Sequence, residues 1–238
     1  MRWIHVFPLA TLLNASMLGC GSEPPPKAPE PAPQAVKPHK PRMSMSSELG
    51  QIDPAETDAA FQKLQPALMG CYQDNLKRVE FLGGDVKFYL RVAQDGTAKW
   101  VFLEDATLGD RTTERCMLDL AMSAHWPTPE GGEAEVHKSL GFDPPSNVRA
   151  PADWSGDRVA ATIGMHSADV AKCKAGASGA FHVTAYVAPQ GKGGKVAAAG
   201  IAPPNQEGET KSDCLVDLVK KMKMPSPGSY AAKVSFTL

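Results

Sequence analysis

One stretch of this chain is written twice, and that constrains the fold more than any bulk property. The first copy runs from Cys71 through GGDVKFYLRVAQDGTAKWV to Cys116 and then Trp126-Pro127-Thr128-Pro129. The second runs from Cys173 through ASGAFHVTAYVAPQGKGGKV to Cys214 and then Met224-Pro225-Ser226-Pro227. Residues 179–191 align with 84–96, and Cys214, Asp217, Leu218, Pro225 and Pro227 align with Cys116, Asp119, Leu120, Pro127 and Pro129. The copies differ in loop length around a constant frame, as a duplicated supersecondary unit does.

The segment before the repeat has another character. Arg2 is followed by an apolar run from Trp3 to Leu18, too short to span a bilayer and of signal-peptide form. It ends in Met17-Leu18-Gly19-Cys20, which resembles a bacterial lipobox, with cleavage before Cys20 and acylation of that cysteine. An ordinary signal peptide and an uncleaved anchor are the alternatives. Gly21 and Ser22 follow with no Asp, which by resemblance to the enterobacterial sorting rule implies the periplasmic face of the outer membrane. Residues 23–42, EPPPKAPEPAPQAVKPHKPR, read as a polyproline tether. At about 3.1 Å per residue it would reach roughly 60 Å. Lys27, Lys37, Lys40 and Arg42 also suit contact with phospholipid or peptidoglycan. Met43–Asp53 continues the flexible region, and order is expected from Pro54.

Within the first copy, Phe61, Leu64, Leu68, Cys71 and Tyr72 recur at helical spacing, and Pro66 either starts the main helix or kinks a longer one. A lead-in and a main helix over about 65–77 is the preferred reading. Val86, Phe88, Leu90 and Val92 then alternate with polar residues, as in a half-buried strand. Asp95-Gly96 turns the chain into a second strand over 98–103. Asp110 to Thr113 supplies helix-start chemistry for a helix carrying Cys116, Met117 and Leu120, which stops before Pro127. Residues 136–142 form the third strand. The order helix-strand-strand-helix-strand predicts an antiparallel sheet ordered 2-1-3 with both helices on one face. In the second copy the inward set becomes Phe181, Val183, Ala185 and Val187, Ser167 is a helix-cap candidate, and the last strand covers 234–238. Residues 86–92 and 181–187 are expected in like environments.

The expected architecture is α+β: two tandem small domains, each α-β-β-α-β with a three-stranded antiparallel sheet and two disulfide-linked helices on one face. The bounds are 1–19 signal peptide, 20–53 lipidated cysteine and linker, 54–142 first domain, 143–152 linker and 153–238 second domain. Of five cysteines, removing Cys20 leaves two per copy. An exported chain meets an oxidising compartment. The repeat then selects Cys71–Cys116 and Cys173–Cys214 from three connectivities.

The frame of a Cys, Gly84-Asp85-Val86-Lys87-Phe88, Asp95-Gly96, Cys116-Met-Leu-Asp119-Leu120 and Pro127-Thr-Pro129 resembles the AgmX/PglI C-terminal domain family of myxobacterial proteins. That family is similar to the TonB C-terminal fold. The resemblance covers both copies; the second has Gln190-Gly191 for Asp-Gly and a second strand, VAAAGIA, poor in bulky residues. It implies cell-envelope scaffolding in motility or transport complexes.

Little in the sequence points to catalysis. Lys192-Gly193-Gly194-Lys195 has a faint phosphate-loop look, but no Ser or Thr follows and it aligns with a hairpin turn. His5, His39, His125, His137, His166 and His182 make no metal-ligand spacing. Lys220, Lys221 and Lys223 form a basic helix end that reads as solvated, with acidic-polymer contact as the minor alternative. A formal net charge of −1 gives no reason to expect nucleic acid. No cofactor or metal is expected. The leading expectation is a non-enzymatic, lipid-anchored periplasmic module that binds envelope proteins by strand addition at residues 133–142 or 231–238. A structural lipoprotein associated with peptidoglycan or with the membrane, through the tether and lysines, is the alternative, and a thiol oxidoreductase the third.

Overall fold

The computed structural model describes residues 49–238. The signal-peptide, tether and Cys20 expectations lie outside the described residues. Asp53 caps the first helix, α1 (Pro54–Leu76), by accepting from the Ala55 N–H at 2.8 Å, and Pro54 sits where its missing donor costs nothing. α1 is one continuous helix, not a lead-in plus a main helix. Pro66 deletes the bond to the Gln62 carbonyl, but both residues lie on the exposed face, where water satisfies that oxygen. Order also begins before Pro54: Gly50 N–H donates to Glu133 O, and Gln51 exchanges backbone bonds with Glu130.

Strands β1 (Gly84–Val92) and β2 (Ala98–Ala106), helix α2 (Arg111–Ser123) and strand β3 (Ala134–Phe142) complete the first copy. The sheet is antiparallel in the order β2-β1-β3, as the chain-reversal argument requires. Val86, Phe88, Leu90 and Val92 are fully buried against Phe61, Leu68 and Tyr72 of α1 and Met117 and Ala121 of α2, so both helices cover one face. Trp126 of the Trp-Pro-Thr-Pro stretch meets Phe61 with ring centroids 4.8 Å apart and the planes tilted, and donates its indole N–H to Ala121 O.

The second copy departs from this plan. Where the first has one long helix, it has α3 (Asp157–Met165) and α4 (Ser167–Lys174), separated at His166. Strands β5 (His182–Gln190) and β6 (Gly193–Ala202) form the hairpin, α5 (Gln206–Glu209) and α6 (Ser212–Lys221) follow, and β8 (Ala232–Thr237) closes the sheet. Two short strands flank it, β4 (Ala152–Trp154) beside β8 in parallel and β7 (Lys223–Met224) beside β6. The sheet is therefore five-stranded, β4-β8-β5-β6-β7, where three strands were expected. β4 lies at the end of the stretch expected to be a linker, and it takes the edge of residues 232–234 that was expected to stay open.

Disulfides join Cys71 of α1 to Cys116 of α2 and Cys173 of α4 to Cys214 of α6, with Cα atoms 5.8 and 5.6 Å apart. Each closes a loop of 45 or 41 residues. In the chain-entropy account each adds about 4 kcal/mol.

The environments of 86–92 and 181–187 match on one face and differ on the other. Phe181, Val183, Ala185 and Val187 are buried under α3, α4 and α6, as β1's inner set is under its own helices. On the opposite face Tyr89 and Arg91 are half-buried and Lys87 is exposed, whereas Thr184 and Tyr186 are buried. The first copy covers them. Tyr186, Ala198 and Ala202 belong to the first copy's apolar core, and all described residues fall in one compact unit. The run of small residues in β6 thus has a packing role. A Cβ on Gly200 would meet the Glu114 carboxylate and one on Gly109, at φ +77°, would meet Thr184 and Tyr186.

Gly200→Ala is therefore expected to lower the unfolding free energy by about 1–3 kcal/mol, the usual cost of overpacking. Gly164→Ala, which adds a methyl in open space inside α3, should stabilise slightly. Urea titrations of the two variants check this; equal effects would contradict the packing.

Candidate functional site

Two places concentrate unusual chemistry: the junction between the copies and the open side of the first sheet.

At the junction, the turn after β2 delivers α2 end-on to the second copy. Asp110 caps α2, its carboxylate accepting from Thr113 N–H at 3.1 Å and Thr113 Oγ1 at 2.7 Å and pairing with Arg78. One turn on, Glu114 is wholly buried. Its carboxylate accepts from the backbone N–H of Ile201 at 3.0 Å and of Gly109 at 3.2 Å. β6 pairs with β7 only at residues 194–195, so Ile201 lies on an otherwise free edge, and Glu114 caps it. Arg111 reaches across to Glu209 at 2.6 Å and Asp213 at 2.8 Å, and Arg115 joins Asp213 at 2.7 Å. Tyr186 donates to Gly83 O at 2.8 Å and accepts from Gly83 N–H, while Lys233 donates to the same carbonyl at 2.7 Å. Burial pushes the Tyr186 phenol up to about 12.

Burial also lifts the Glu114 carboxyl to about 7, against the two backbone bonds and Arg111, which favour the anion. For Asp213 burial acts upward too, but the bonds and charges of Arg111 and Arg115 outweigh it and hold the group low. The residue aligned with Glu114 in the second copy is Ser212, so the junction is one-sided.

On the open side of the first sheet, Tyr89 stacks on Phe102 at 4.7 Å and meets His137 edge-on at 5.2 Å. Trp100 pairs across the ladder with Arg91. Charges ring this row. Arg91 bonds Glu133 and Glu135, Lys99 bonds Glu133, and Glu104 holds Lys87 and His137. Burial lifts Glu104, but those two partners outweigh it and keep the carboxyl below its usual range.

Beside that row lies the edge of β3, which among the described residues pairs with β1 alone. Glu133 O accepts from Gly50, so its polar groups point away from β1. By the two-residue period of a strand, so do those of Glu135, His137, Ser139 and Gly141.

The four cysteines Cys71, Cys116, Cys173 and Cys214 are all spent in disulfides. Lys192-Gly193-Gly194-Lys195 is the β5–β6 turn and the start of β6, the hairpin its alignment suggested. His125, His137, His166 and His182 are scattered, and no group of three metal-binding side chains gathers among the described residues. His5 and His39 lie outside them. An open cleft of about 590 Å³ between α1 and residues 124–128 brings Glu56, Lys63 and His125 to one rim. Glu114 and Arg111 were not singled out from sequence. The signal was the pairing of a charged helix start, Arg-Thr-Thr-Glu-Arg, with a strand of alanines and glycines able to admit it.

Comparison with protein-family models, with curated proteins and with solved structures finds no match.

A carboxyl whose folded pKa exceeds its unfolded value stabilises fully below the unfolded value, near 4.5, and loses that contribution as pH rises through about 7. The span corresponds to about 3 kcal/mol. Urea unfolding between pH 4.5 and 8 should show stability falling on this account. In Glu114→Gln that component should be absent, and a variant keeping the wild-type slope would exclude Glu114 as its source.

Proposed function

We propose that this protein is a non-enzymatic interaction module of the cell envelope, built from two copies of one domain and tethered by a lipid on Cys20. It resembles the AgmX/PglI C-terminal domains and takes a partner strand at β3. The observation that carries the reading is an unequal treatment of sheet edges. Open edges invite pairing with other chains, and proteins blunt them. Here the second sheet ends in strands of three and two residues, and its longer exposed edge is capped by Glu114. β2, the other edge of the first sheet, carries two register shifts of the kind that twist an edge away. Among the described residues β3 alone runs nine residues in unbroken register with β1 and leaves its other side unpaired. Main-chain bonds would supply affinity, and the Tyr89–Phe102–His137 row would read alternate side chains of the guest.

The order of a signal run, lipobox and polyproline tether supports export and anchoring, and two disulfides among the described residues suit an oxidising compartment. Partners in motility or transport complexes belong to the same proposal.

The discriminating substitution removes an outward donor and leaves the ladder intact. Val136 is unsuitable, because its polar groups face β1. Ser139→Pro meets the requirement, since proline is tolerated on an edge whose N–H faces solvent. With a photo-crosslinking side chain at Glu135, the full chain in cells should yield a discrete protein adduct that drops at least about fivefold in Ser139→Pro. An undiminished adduct would refute strand addition. Salt-sensitive binding to purified sacculi, equal in both forms, would favour the peptidoglycan alternative.

A further inference from the structure

The chain brings together two lysine groups that are far apart in sequence. Lys192 and Lys195 belong to the β5–β6 turn and the start of β6; Lys220 and Lys221 end α6, and Lys223 begins β7. Pairing of β7 with β6 sets Lys195 directly opposite Lys223. All five side chains are exposed, and none is within an ion pair among the described residues, although Asp217 lies one turn back on α6. Like charges facing each other across a ladder destabilise it. Among the described residues no carboxylate is within ion-pair distance of either Lys195 or Lys223 to relieve it.

We propose that this end of the second sheet rests on an anionic lipid bilayer. Three features choose the partner. The charges are all lysine, hydrated points on flexible stems that suit a diffuse anionic surface, whereas forked recognition of single phosphates favours arginine. The arginines of the described residues are engaged elsewhere: Arg78, Arg91, Arg111 and Arg115 in ion pairs, Arg149 over Tyr230 and Arg158 over Trp154. Residues 188–195 and 219–226 contain no aromatic side chain on which a base or sugar ring would stack. The five lysines also sit on a hairpin tip, a helix end and two strand ends at one end of the second sheet, with Lys195 and Lys223 on the face away from α6 and Lys220 and Lys221 on α6 itself. Each lysine near an anionic leaflet strengthens binding by up to roughly fivefold. The site is separate from the β3 edge, and its test does not depend on that reading.

The test is sedimentation of the chain carrying Cys20→Ser, which removes the proposed lipid attachment, with vesicles of phosphatidylglycerol or of phosphatidylcholine. Wild type should bind the anionic vesicles at least about tenfold more tightly at low salt and lose the preference in 0.5 M NaCl, about where screening shortens to a few ångströms. Replacing Lys192, Lys195, Lys220, Lys221 and Lys223 by Gln should abolish it. Neutralising Lys63, Lys77, Lys87, Lys99 and Lys172 instead, with the same change in net charge, should leave most of it. Lys195→Glu adds an opposed readout: pairing with Lys223 should raise the unfolding temperature while binding falls. Equal binding to the two lipids, or equal loss in the two five-lysine variants, would overturn the proposal. Binding to soluble polyphosphate with no vesicle preference would assign the end to a soluble polyanion instead.

Discussion

The arrangement of this molecule depends on a buried carboxylate meeting a bare strand edge. Glu114 leaves water completely and takes the N–H groups of Ile201 and Gly109 as its substitute solvation. An unpaired buried amide costs about as much as a lost hydrogen bond, so the edge of β6 needs such an acceptor wherever another chain segment covers it. Gly200 supplies the room, Arg111 supplies a countercharge a turn away, and Asp110 orients the helix that carries both. Removing any one would leave the others buried and poorly matched.

That contact makes the duplication unequal. A helix start from the first copy caps a strand edge of the second, but the second has Ser212 in the aligned position and makes no return contact of this kind. The joint is head-to-tail. Among the described residues it leaves the outer face and β3 edge of the first sheet uncovered, and the lysine-rich end of the second sheet is a separate surface. The two sequence copies thus present different surfaces, and they also differ in a split helix and in the added strands β4 and β7.

The sequence carried the local plan well. Alternation in 86–92, the Asp-Gly turn, the Asp110 cap and the repeated cysteines led to the first sheet's order and to helices sharing one face, and the repeat led to the two pairings within copies. What stayed hidden was long-range. Tyr186 has the spacing of a solvent-facing residue, and only contact with Gly83 and Phe81 explains its burial. The alanine-rich β6 looked thinly packed because part of its cover comes from β2 and α2 of the other copy. β4 and β7, at three and two residues, are too short to leave a periodic signature, and their pairing depends on where β8 and β6 happen to run. The break at His166 follows Gly164 by two residues, and one glycine within a helical pattern does not announce a break. α1 misled in the opposite sense, since a proline on a wet face does not end a helix.

The central claim is that the copies are joined through the capped edge of β6. Amide hydrogen exchange at Ile201 tests it most directly. Ile201 should exchange as slowly as Val183 in the sheet interior, through global unfolding alone. In Glu114→Ala its protection should collapse while Val183 stays slow. An Ile201 amide that exchanges in the native protein at the rate of a solvent-facing edge, or that is indifferent to Glu114, would contradict the account.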